Sequence, residues 1–445
     1  MKKNEQTEGY RDEALKLLKK ADVEIGDKIR LTREDEVFEG ILIPVSEYSD
    51  GKHVVIKLKS GYNIGVRITE NTKIEKTGEG TKPTFTTSEL PKQDKTLPKV
   101  AIISTGGTIA SRVDYRTGAV RSALTASDLY SVVPELVNIA QIDAHVLFSI
   151  MSENMTPKHW EKIAETAAQK IVEGADGVVI AHGTDTMGYT AAALSFALQN
   201  LPVPVILVGS QRSADRPSSD SATNLIGAVT AAAKAPLAEV TVAFHETLSD
   251  TTIALHRGTK VRKCHTSRRD TFKSVNASPL ATVQDQKVTM LTTDYRKRNP
   301  ANRLELKPSF DDKVALIKFH PGIDSSLIDW HVEKRYKGIV LEGTGLGHVG
   351  KHLYDALKNA VKNDVVVGMA SQCVWGRIDM NVYDSGRDLL SLGVIPLEDM
   401  LAETALVKLM WIFGQTQSVD ETKRLLIMNI AGEFSPRTLP ESEPC

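Results

Sequence analysis

A short apolar run followed by a polar loop and a helical pattern most constrains the fold of this chain. The run is residues 177–180, Gly-Val-Val-Ile, and the loop is residues 181–186, Ala-His-Gly-Thr-Asp-Thr. A helical pattern begins at about residue 189. This order, with a β-branched run too short for a helix, indicates a strand–loop–helix unit. In open α/β sheets such loops lie at the carboxyl ends of the strands, where ligands bind.

A second loop of the same kind lies upstream, where residues 100–103 lead into Ser-Thr-Gly-Gly-Thr-Ile at 104–109. Its two glycines allow a close approach of the backbone to a substrate, and they leave Thr108 projecting from the loop. Two threonine-bearing loops at strand ends, one with Asp185 beside Thr184, suggest chemistry with a hydroxyl nucleophile. The alternative interpretation is structural: a tight turn in the first loop and a helix N-cap in the second.

Strand-like and helical stretches alternate through the larger, later part of the chain, which predicts an α/β fold with a parallel sheet covered on both faces. A polar stretch rich in Gly, Pro, Thr, Ser and Lys precedes this part and indicates a linker. The predicted parts are an N-terminal helix and small β-barrel domain, a linker, a first α/β subdomain with the catalytic loops, and a second α/β subdomain with the tail, at residues 1–76, 77–98, 99–307 and 308–445 respectively.

The N-terminal part is predicted to contain a short amphipathic helix over residues 8–20 and four short strands between residues 28 and 68. Gly, Asp and Ser residues separate the strands, which favours a small all-β barrel of SH3-like size. The first 100 residues hold 19 Lys and Arg against 18 Asp and Glu. A dominant basic surface for RNA is therefore not expected.

Composition excludes several classes of protein. The net charge is −1, so no overall field attracts the chain to nucleic acid or to a membrane surface. The three cysteines are far apart, which argues against a disulfide framework and for a reducing, cytoplasmic compartment. They also lack metal-site spacing, and no metal is expected. Neither a signal peptide nor a membrane-spanning run of about 18 apolar residues is evident.

The wording of the two loops resembles the signature loops of the L-asparaginase/glutaminase family: Thr-Gly-Gly-Thr-Ile-Ala at 105–110 and His-Gly-Thr-Asp-Thr at 182–186. The resemblance extends from about residue 99 to about residue 432 and implies a two-subdomain asparaginase-like fold. Residues 1–97 are not part of an ordinary asparaginase. That extension, with the wording at 213–220, resembles the D subunits of archaeal tRNA-dependent glutamyl-tRNA(Gln) amidotransferases.

The resemblance implies a set of catalytic residues. Thr108 matches the usual nucleophile, and Thr184 and Asp185 match the Thr and Asp of the second loop. A Gly-x-x-Val-x-Lys pattern at 258–263, ahead of Thr-Phe-Lys-Ser, selects Lys263 as the lysine that pairs with them. A desolvated lysine beside other cations can act as a base. The cations that crowd this region are Arg257, Lys260, Arg262 and Arg268; the alternative is a solvated basic loop, which could face RNA.

A tyrosine after the first threonine is also implied, and Tyr115 in the Tyr-x-x-Gly setting at 115–118 fits it; an ordinary loop tyrosine is the alternative. A phenol can relay the proton of the threonine. The amino-acid end of the substrate is expected to contact Ser152, Glu153 and Asp185, with Asp185 on the α-ammonium group. Many secreted family members have Gln in place of Glu153. His182 is expected to be structural.

The resemblance implies that the chain hydrolyses glutamine and releases ammonia for the conversion of Glu-tRNA(Gln) to Gln-tRNA(Gln). No Walker-type loop is present, so we expect no cofactor on this chain, and ATP and Mg²⁺ at a partner E subunit. The expected assembly is a hetero-oligomer, a heterotetramer built on a homodimer of this chain, with tRNA bound by the complex. The alternative that remains open is a free-standing L-asparaginase with an accessory N-terminal domain. A non-catalytic RNA-binding scaffold would predict eroded threonines and lysine and a surplus of basic residues, and the sequence shows neither.

Overall fold

The computed structural model describes residues 9–45, 50–58, 63–79, 94–107, 111–114, 119–122, 133–212 and 219–438, with the backbone alone for 63, 111–114 and 119–122. Its strands are β1 (Lys28–Arg33), β2 (Glu36–Leu42), β3 (His53–Lys57), β4 (Asn63–Arg67), β5 (Lys73–Gly78), β6 (Lys99–Gly106), β7 (Ser111–Asp114), β8 (Ala119–Ser122), β9 (Gln141–Ile150), β10 (Gly177–Ala181), β11 (Leu198–Gln199), β12 (Val205–Val208), β13 (Val240–His245), β14 (Ile253–Arg257), β15 (Val261–Lys263), β16 (Phe272–Ser274), β17 (Ala281–Gln284), β18 (Lys287–Met290), β19 (Glu305–Leu306), β20 (Val314–Lys318), β21 (Gly338–Gly343), β22 (Val366–Ser371) and β23 (Ile395–Pro396).

The α-helices are α1 (Asp12–Lys20), α2 (Pro157–Val172), α3 (Met187–Ala197), α4 (Ser221–Lys234), α5 (Ser326–Glu333), α6 (Tyr354–Lys362), α7 (Asp384–Ser391), α8 (Ala402–Gln415) and α9 (Val419–Ile427). Short 3-10 helices cover Pro134–Asn138, Ser152–Asn154 and Lys351–Leu353. Among the helices in the described ranges, none is long and apolar enough to cross a membrane.

The N-terminal region is an antiparallel sheet in the order β4-β3-β2-β1-β5, which confirms the prediction of a small all-β unit. Helix α1 buries Ala14 and Leu18 in the core of this region. The sequence predicted four strands and missed β5. Only Ile74 of β5 is apolar and buried, so the strand lacks the periodic signal that marks the others.

The central sheet has the order β18-β17-β14-β13-β12-β10-β6-β9, and the five strands from β13 to β9 are parallel. All five residues of β10 are buried, as expected for a parallel strand covered on both faces. Val178 and Ile180 share a core with α2 and α3, whereas Val179 packs with α4 on the other face. The alternation predicted from the sequence is therefore confirmed.

A second, parallel sheet in the order β20-β21-β22-β23 forms the C-terminal part. Helix α8 connects the two α/β units: it packs on α3 of the first unit and against β20 and β21 of the second. Trp411 of α8 stacks on Phe196 of α3 with a centroid distance of 5.7 Å. One hydrophobic core therefore extends across both α/β units.

A fully buried ion pair fixes the end of the chain to α8. The Nζ of Lys408 is 2.6 Å from Oε1 of Glu433, and both side chains are 0% exposed. Lys408 also donates to the carbonyl of Leu426, and the Glu433 carboxylate accepts the backbone N–H of Ala431. Because both charged groups are paired and hydrogen-bonded, the large cost of removing them from water is offset.

Lys408→Met should lower the free energy of unfolding by about 3–5 kcal/mol, because it leaves the Glu433 carboxylate unpaired in the interior. Urea unfolding followed by circular dichroism measures the loss. Arg424→Met is the matched control, since Arg424 pairs with Glu421 on the surface of α9, where solvent screens the pair. Equal losses in the two variants would show that the buried pair adds no more stability than the surface pair.

Candidate active site

Two glycines bring the two threonine-bearing loops into contact. Strands β6 and β10 are parallel neighbours, so their loops leave the same edge of the sheet. Gly107 has a φ of +80°, and a Cβ added to it would lie 2.5 Å from the Cα of Gly183. Thr105 strengthens the contact by donating from Oγ1 to the carbonyl of Ala181 at 3.0 Å. A side chain at Gly107 would overlap the Gly183 backbone, and a side chain at Gly183 would overlap Ser152, so both positions need glycine for this packing.

The structure brings together Thr184 and Asp185 of the second loop and Lys263, three of the residues implied by the family resemblance. Lys263, at the end of β15, donates from Nζ to Oγ1 of Thr184 at 2.9 Å and to Oδ1 of Asp185 at 2.8 Å. The Thr184 residue is 8% exposed, whereas the Asp185 side chain is 68% exposed. A buried hydroxyl and an exposed carboxylate therefore share one amine, although 79 residues separate the lysine from the threonine.

The expected substrate contacts lie next to the second loop. Ser152 is buried, and a Cβ added to Gly183 would lie 2.7 Å from its Cβ. The Ser152 carbonyl accepts a hydrogen bond from Oγ1 of Thr186 at 2.7 Å. Glu153 follows in the same 3-10 turn and is exposed to solvent. The turn is thus fixed to the second loop, with one polar side chain buried and one open.

His182 has a structural environment, as the sequence suggested. It is fully buried: Nδ1 donates to the carbonyl of Gly183 at 2.7 Å, and Nε2 accepts from Oγ1 of Thr190 at 2.9 Å. The same Oγ1 accepts the indole N–H of Trp160. Burial lowers the pKa of His182 to about 4, against a smaller opposite effect of its bond to Gly183. A neutral imidazole with both nitrogens engaged therefore holds the loop.

Two of the predicted catalytic residues, Thr108 and Tyr115, lie outside the described residues. The description of the first loop ends at Gly107, the residue before Thr108. The roles given to Thr108 and Tyr115 stay predictions, and the geometric candidate site consists of Thr184, Asp185 and Lys263.

The cations near Lys263 do not form an unneutralised cluster, in contrast to the crowding expected from the sequence. Each pairs with a carboxylate, because a cation that leaves water needs a partner charge. Lys260 is 1% exposed, so a solvated basic loop is also wrong for this position. The pairs are Arg257–Glu239 at 2.9 Å, Lys260–Asp399 at 2.7 Å, Arg262–Glu403 at 3.1 Å and Arg268–Asp270 at 2.7 Å.

A polar network that the sequence did not predict supports the site from the next strand. Buried Asp220 accepts the backbone N–H of Gln211, and Asn224 donates from Nδ2 to the carbonyl of Gly209 at 3.0 Å. A Cβ added to Gly209 would lie 3.0 Å from Cγ2 of Thr184, so the two loops touch. The available signal was an asparagine in the first turn of α4, a helix whose later residues are mostly apolar. Across the part of the chain that the structure describes, no group of three or more His, Cys, Asp and Glu side chains could hold a metal ion.

Comparisons with protein families place three matches along the chain. Residues 23–77 match the GatD N-terminal domain, 99–296 match the N-terminal asparaginase model, and 313–426 match the glutaminase/asparaginase C-terminal domain. The chain is 51% identical over 433 residues to a Pyrococcus furiosus protein named as the D subunit of glutamyl-tRNA(Gln) amidotransferase, covering 96% of this chain and 98% of that one. A protein of the same name from Thermococcus kodakarensis is 52% identical over 422 residues, covering 93% and 95% of the two chains.

Solved structures of L-asparaginases share the α/β part of the fold. The thermostable L-asparaginase of Thermococcus kodakarensis aligns with a TM-score of 0.68 and 32% identity, covering 76% of this chain and 100% of its own. L-asparaginase I of Vibrio cholerae aligns with the same TM-score and 31% identity, covering 76% and 99%. The asparaginase-like fold predicted from the sequence is therefore confirmed.

Gly107→Ala should destabilise the protein more than Gly174→Ala. Both glycines have positive φ, so alanine strains the backbone in both, by about 1 kcal/mol. Only Gly107 also faces a neighbour, since the space around a Cβ on Gly174 is open to at least 4 Å. The overlap with Gly183 should add about 1–3 kcal/mol to the loss in unfolding free energy measured in urea. Similar losses in both variants would show that the loops separate easily.

Proposed function

The chain belongs to the family of glutamyl-tRNA(Gln) amidotransferase D subunits, and we propose that it hydrolyses glutamine with a threonine nucleophile to supply ammonia to a partner subunit. The observation that carries this proposal is the contact of Lys263 with both Thr184 and Asp185. A hydroxyl is a weak nucleophile until a neighbouring group takes its proton. Lys263 donates to the Thr184 hydroxyl, so the second loop presents a fixed hydroxyl–amine pair beside Gly107 of the first loop, and Thr108 follows Gly107 in the sequence.

The proposed reaction has two steps. Oγ1 of Thr108 attacks the side-chain amide carbon of glutamine, and Tyr115 relays the hydroxyl proton towards the departing nitrogen. The new C–O bond replaces the C–N bond, and ammonia leaves. Water then cleaves the ester to give glutamate and the free hydroxyl. Thr184 and Lys263 form a hydrogen-bonded hydroxyl–amine pair, which is proposed to assist the activation of the nucleophile.

The amino-acid end of glutamine is proposed to lie against Ser152, Glu153 and Asp185. Asp185 suits the α-ammonium group, because its carboxylate is exposed and can accept further hydrogen bonds beside that from Lys263. The 3-10 turn that contains buried Ser152 suits the α-carboxylate through the serine hydroxyl and backbone N–H groups.

We further propose that the chain acts in the cytoplasm within a hetero-oligomer, a heterotetramer built on its homodimer. The E subunit of that assembly would bind ATP and Mg²⁺, activate Glu-tRNA(Gln) and accept the ammonia. This division of labour is supported by the relatives, which are named as subunits of an amidotransferase, and by the match of residues 23–77 to the GatD N-terminal domain.

A free-standing L-asparaginase is the second candidate, because solved asparaginases share the α/β fold. Thr184, Asp185 and Lys263 serve either amide equally, since asparagine and glutamine differ by one methylene group. The N-terminal region favours the amidotransferase, as the aligned asparaginases cover only about three quarters of the chain.

Lys263→Met and Thr184→Val should each lower kcat for glutamine hydrolysis by about 10²–10⁴-fold, because each removes one member of the hydroxyl–amine pair. Ammonia release gives the rate, and circular dichroism melts check the fold. The matched control is Lys273→Met, since Lys273 belongs to the neighbouring strand β16 and pairs with Asp270. Normal turnover in both site variants, or an equal loss in the control, would refute the site.

Glutaminase turnover by this chain alone should be slow and should rise when the partner subunit and Glu-tRNA(Gln) are both added. Hydrolysis without the partner would waste glutamine, so the site of the isolated chain should be mostly inactive. If the partner with Glu-tRNA(Gln) binds the active arrangement of the site more tightly, it shifts the population of this chain towards that arrangement. Steady-state ammonia release with tRNA omitted, and with an unrelated tRNA, provides the controls. Full activity without the partner and tRNA would favour the asparaginase.

A further inference from the structure

Strand β15 presents opposite sides to the candidate site and to the second α/β unit. Lys263 contacts Thr184, whereas the preceding residue, Arg262, forms an ion pair with Glu403 at 3.1 Å. Alternate residues of a strand point to opposite sides, so the two contacts hold the strand from two directions. Glu403 lies in the first turn of α8, far along the chain.

We propose that Glu403 is a positioning residue for Lys263: through Arg262, the first turn of α8 sets the distance between the Lys263 amine and the Thr184 hydroxyl. Glu403 acts through the strand and contributes no group to the reaction. The inference rests on the proposed function, in which Lys263 and Thr184 form the hydroxyl–amine pair. It adds that the second α/β unit controls the geometry of this pair.

A buried ion pair at Lys260, two residues before Arg262, also connects the β15–β16 hairpin to the second α/β unit. Lys260 and Asp399 form an ion pair at 2.7 Å, and both side chains are 1% exposed. The other Asp399 oxygen accepts the backbone N–H of Ser435 at 3.0 Å, and the Asp399 carbonyl accepts from Nδ2 of Asn276. This anchor joins the start of the β15–β16 hairpin to the second unit, so it keeps the hairpin in place when the Arg262 contact changes.

The Arg262–Glu403 contact is more adjustable. The Arg262 side chain is 30% exposed and that of Glu403 is 20% exposed. Oε2 of Glu403 is buried and has no hydrogen-bond partner within the described ranges, so the carboxylate is held through one oxygen. Glu403 also lies in the first turn of α8, where the helix dipole favours a negative charge.

A neutral hydrogen bond aligns the same turn of α8 with the hairpin. Thr404, which follows Glu403, donates from Oγ1 to the carbonyl of Thr259 at 2.9 Å. Thr259 in turn donates from its own Oγ1 to the carbonyl of Ala431. Removal of the Glu403 charge should therefore leave the hairpin attached and loosen only the end of β15, at Arg262 and Lys263.

Loss of the Arg262–Glu403 ion pair, which we call the clamp, should lower kcat more than it changes KM. The substrate contacts proposed above do not include Glu403 or Arg262, so KM should stay within about 2-fold. A displacement of about 1 Å in a reacting group can cost about 10²-fold in rate. We therefore expect Glu403→Gln and Arg262→Gln each to lower kcat by about 10- to 100-fold.

The experiment is a double-mutant cycle on the full-length chain, with kcat and KM measured for glutamine. If the two residues act as one clamp, the double variant Arg262→Gln/Glu403→Gln should lose no more than either single variant. Multiplied losses, or a loss expressed in KM alone, would overturn the proposal. Thermal melts confirm that the variants stay folded.

Glu342→Gln is the matched electrostatic control. Glu342 lies in β21, and its carboxylate is 3.7 Å from Lys318. It is close enough to Glu403 and Arg262 for their charges to act on it. A loss as large as that in Glu403→Gln would show that the charge of the region matters and positioning does not. Lys263→Met distinguishes failure of the proposed function from failure of this inference. If glutamine hydrolysis survives in Lys263→Met, both the proposed function and this inference are wrong. Activity lost in Lys263→Met but normal in Glu403→Gln removes the inference alone.

Discussion

The approach of Gly107 to Gly183 is the constraint on which the candidate site depends. Parallel pairing of β6 and β10 delivers both loops to one edge of the sheet, but pairing alone does not bring their backbones into contact. The missing side chains allow that contact, because a Cβ on Gly107 would overlap the Gly183 backbone and a Cβ on Gly183 would overlap Ser152. Residues 104–107 are thereby held against the second loop, which carries the two side chains that Lys263 contacts.

Most of the α/β fold was predictable, and the reason is physical. Strands buried on both faces need continuous apolar runs, and the run at 177–180 forms β10, which extends one residue further, to Ala181. Strand β5 gave no such signal, because a strand with one solvent-facing side and a single apolar residue resembles a loop. Lys263 was identified only by resemblance; composition alone would have left it among several equivalent cations.

The contacts that separate these cations were not predictable from the sequence. The partner of Lys260 is 139 residues away, and those of Arg262 and Lys408 also depend on how the second unit packs. Such pairs have no local pattern, since each requires only that two opposite charges leave water together. The structure therefore replaces the expected crowding of cations around Lys263 by four cations that each pair with a different carboxylate.

The hydrogen-bonded chain from Trp160 through Thr190 to His182 has a consequence for acid tolerance. The folded protein holds His182 with a pKa of about 4, whereas an ordinary histidine has a pKa of 6.5. Between these values the unfolded chain takes up a proton that the folded chain refuses, so the contribution of this residue to stability falls as the pH falls. Above pH 6.5 that contribution is complete. In the folded protein His182 therefore stays neutral near pH 7, and only acidification towards pH 4 would protonate it and put a buried charge in the second loop.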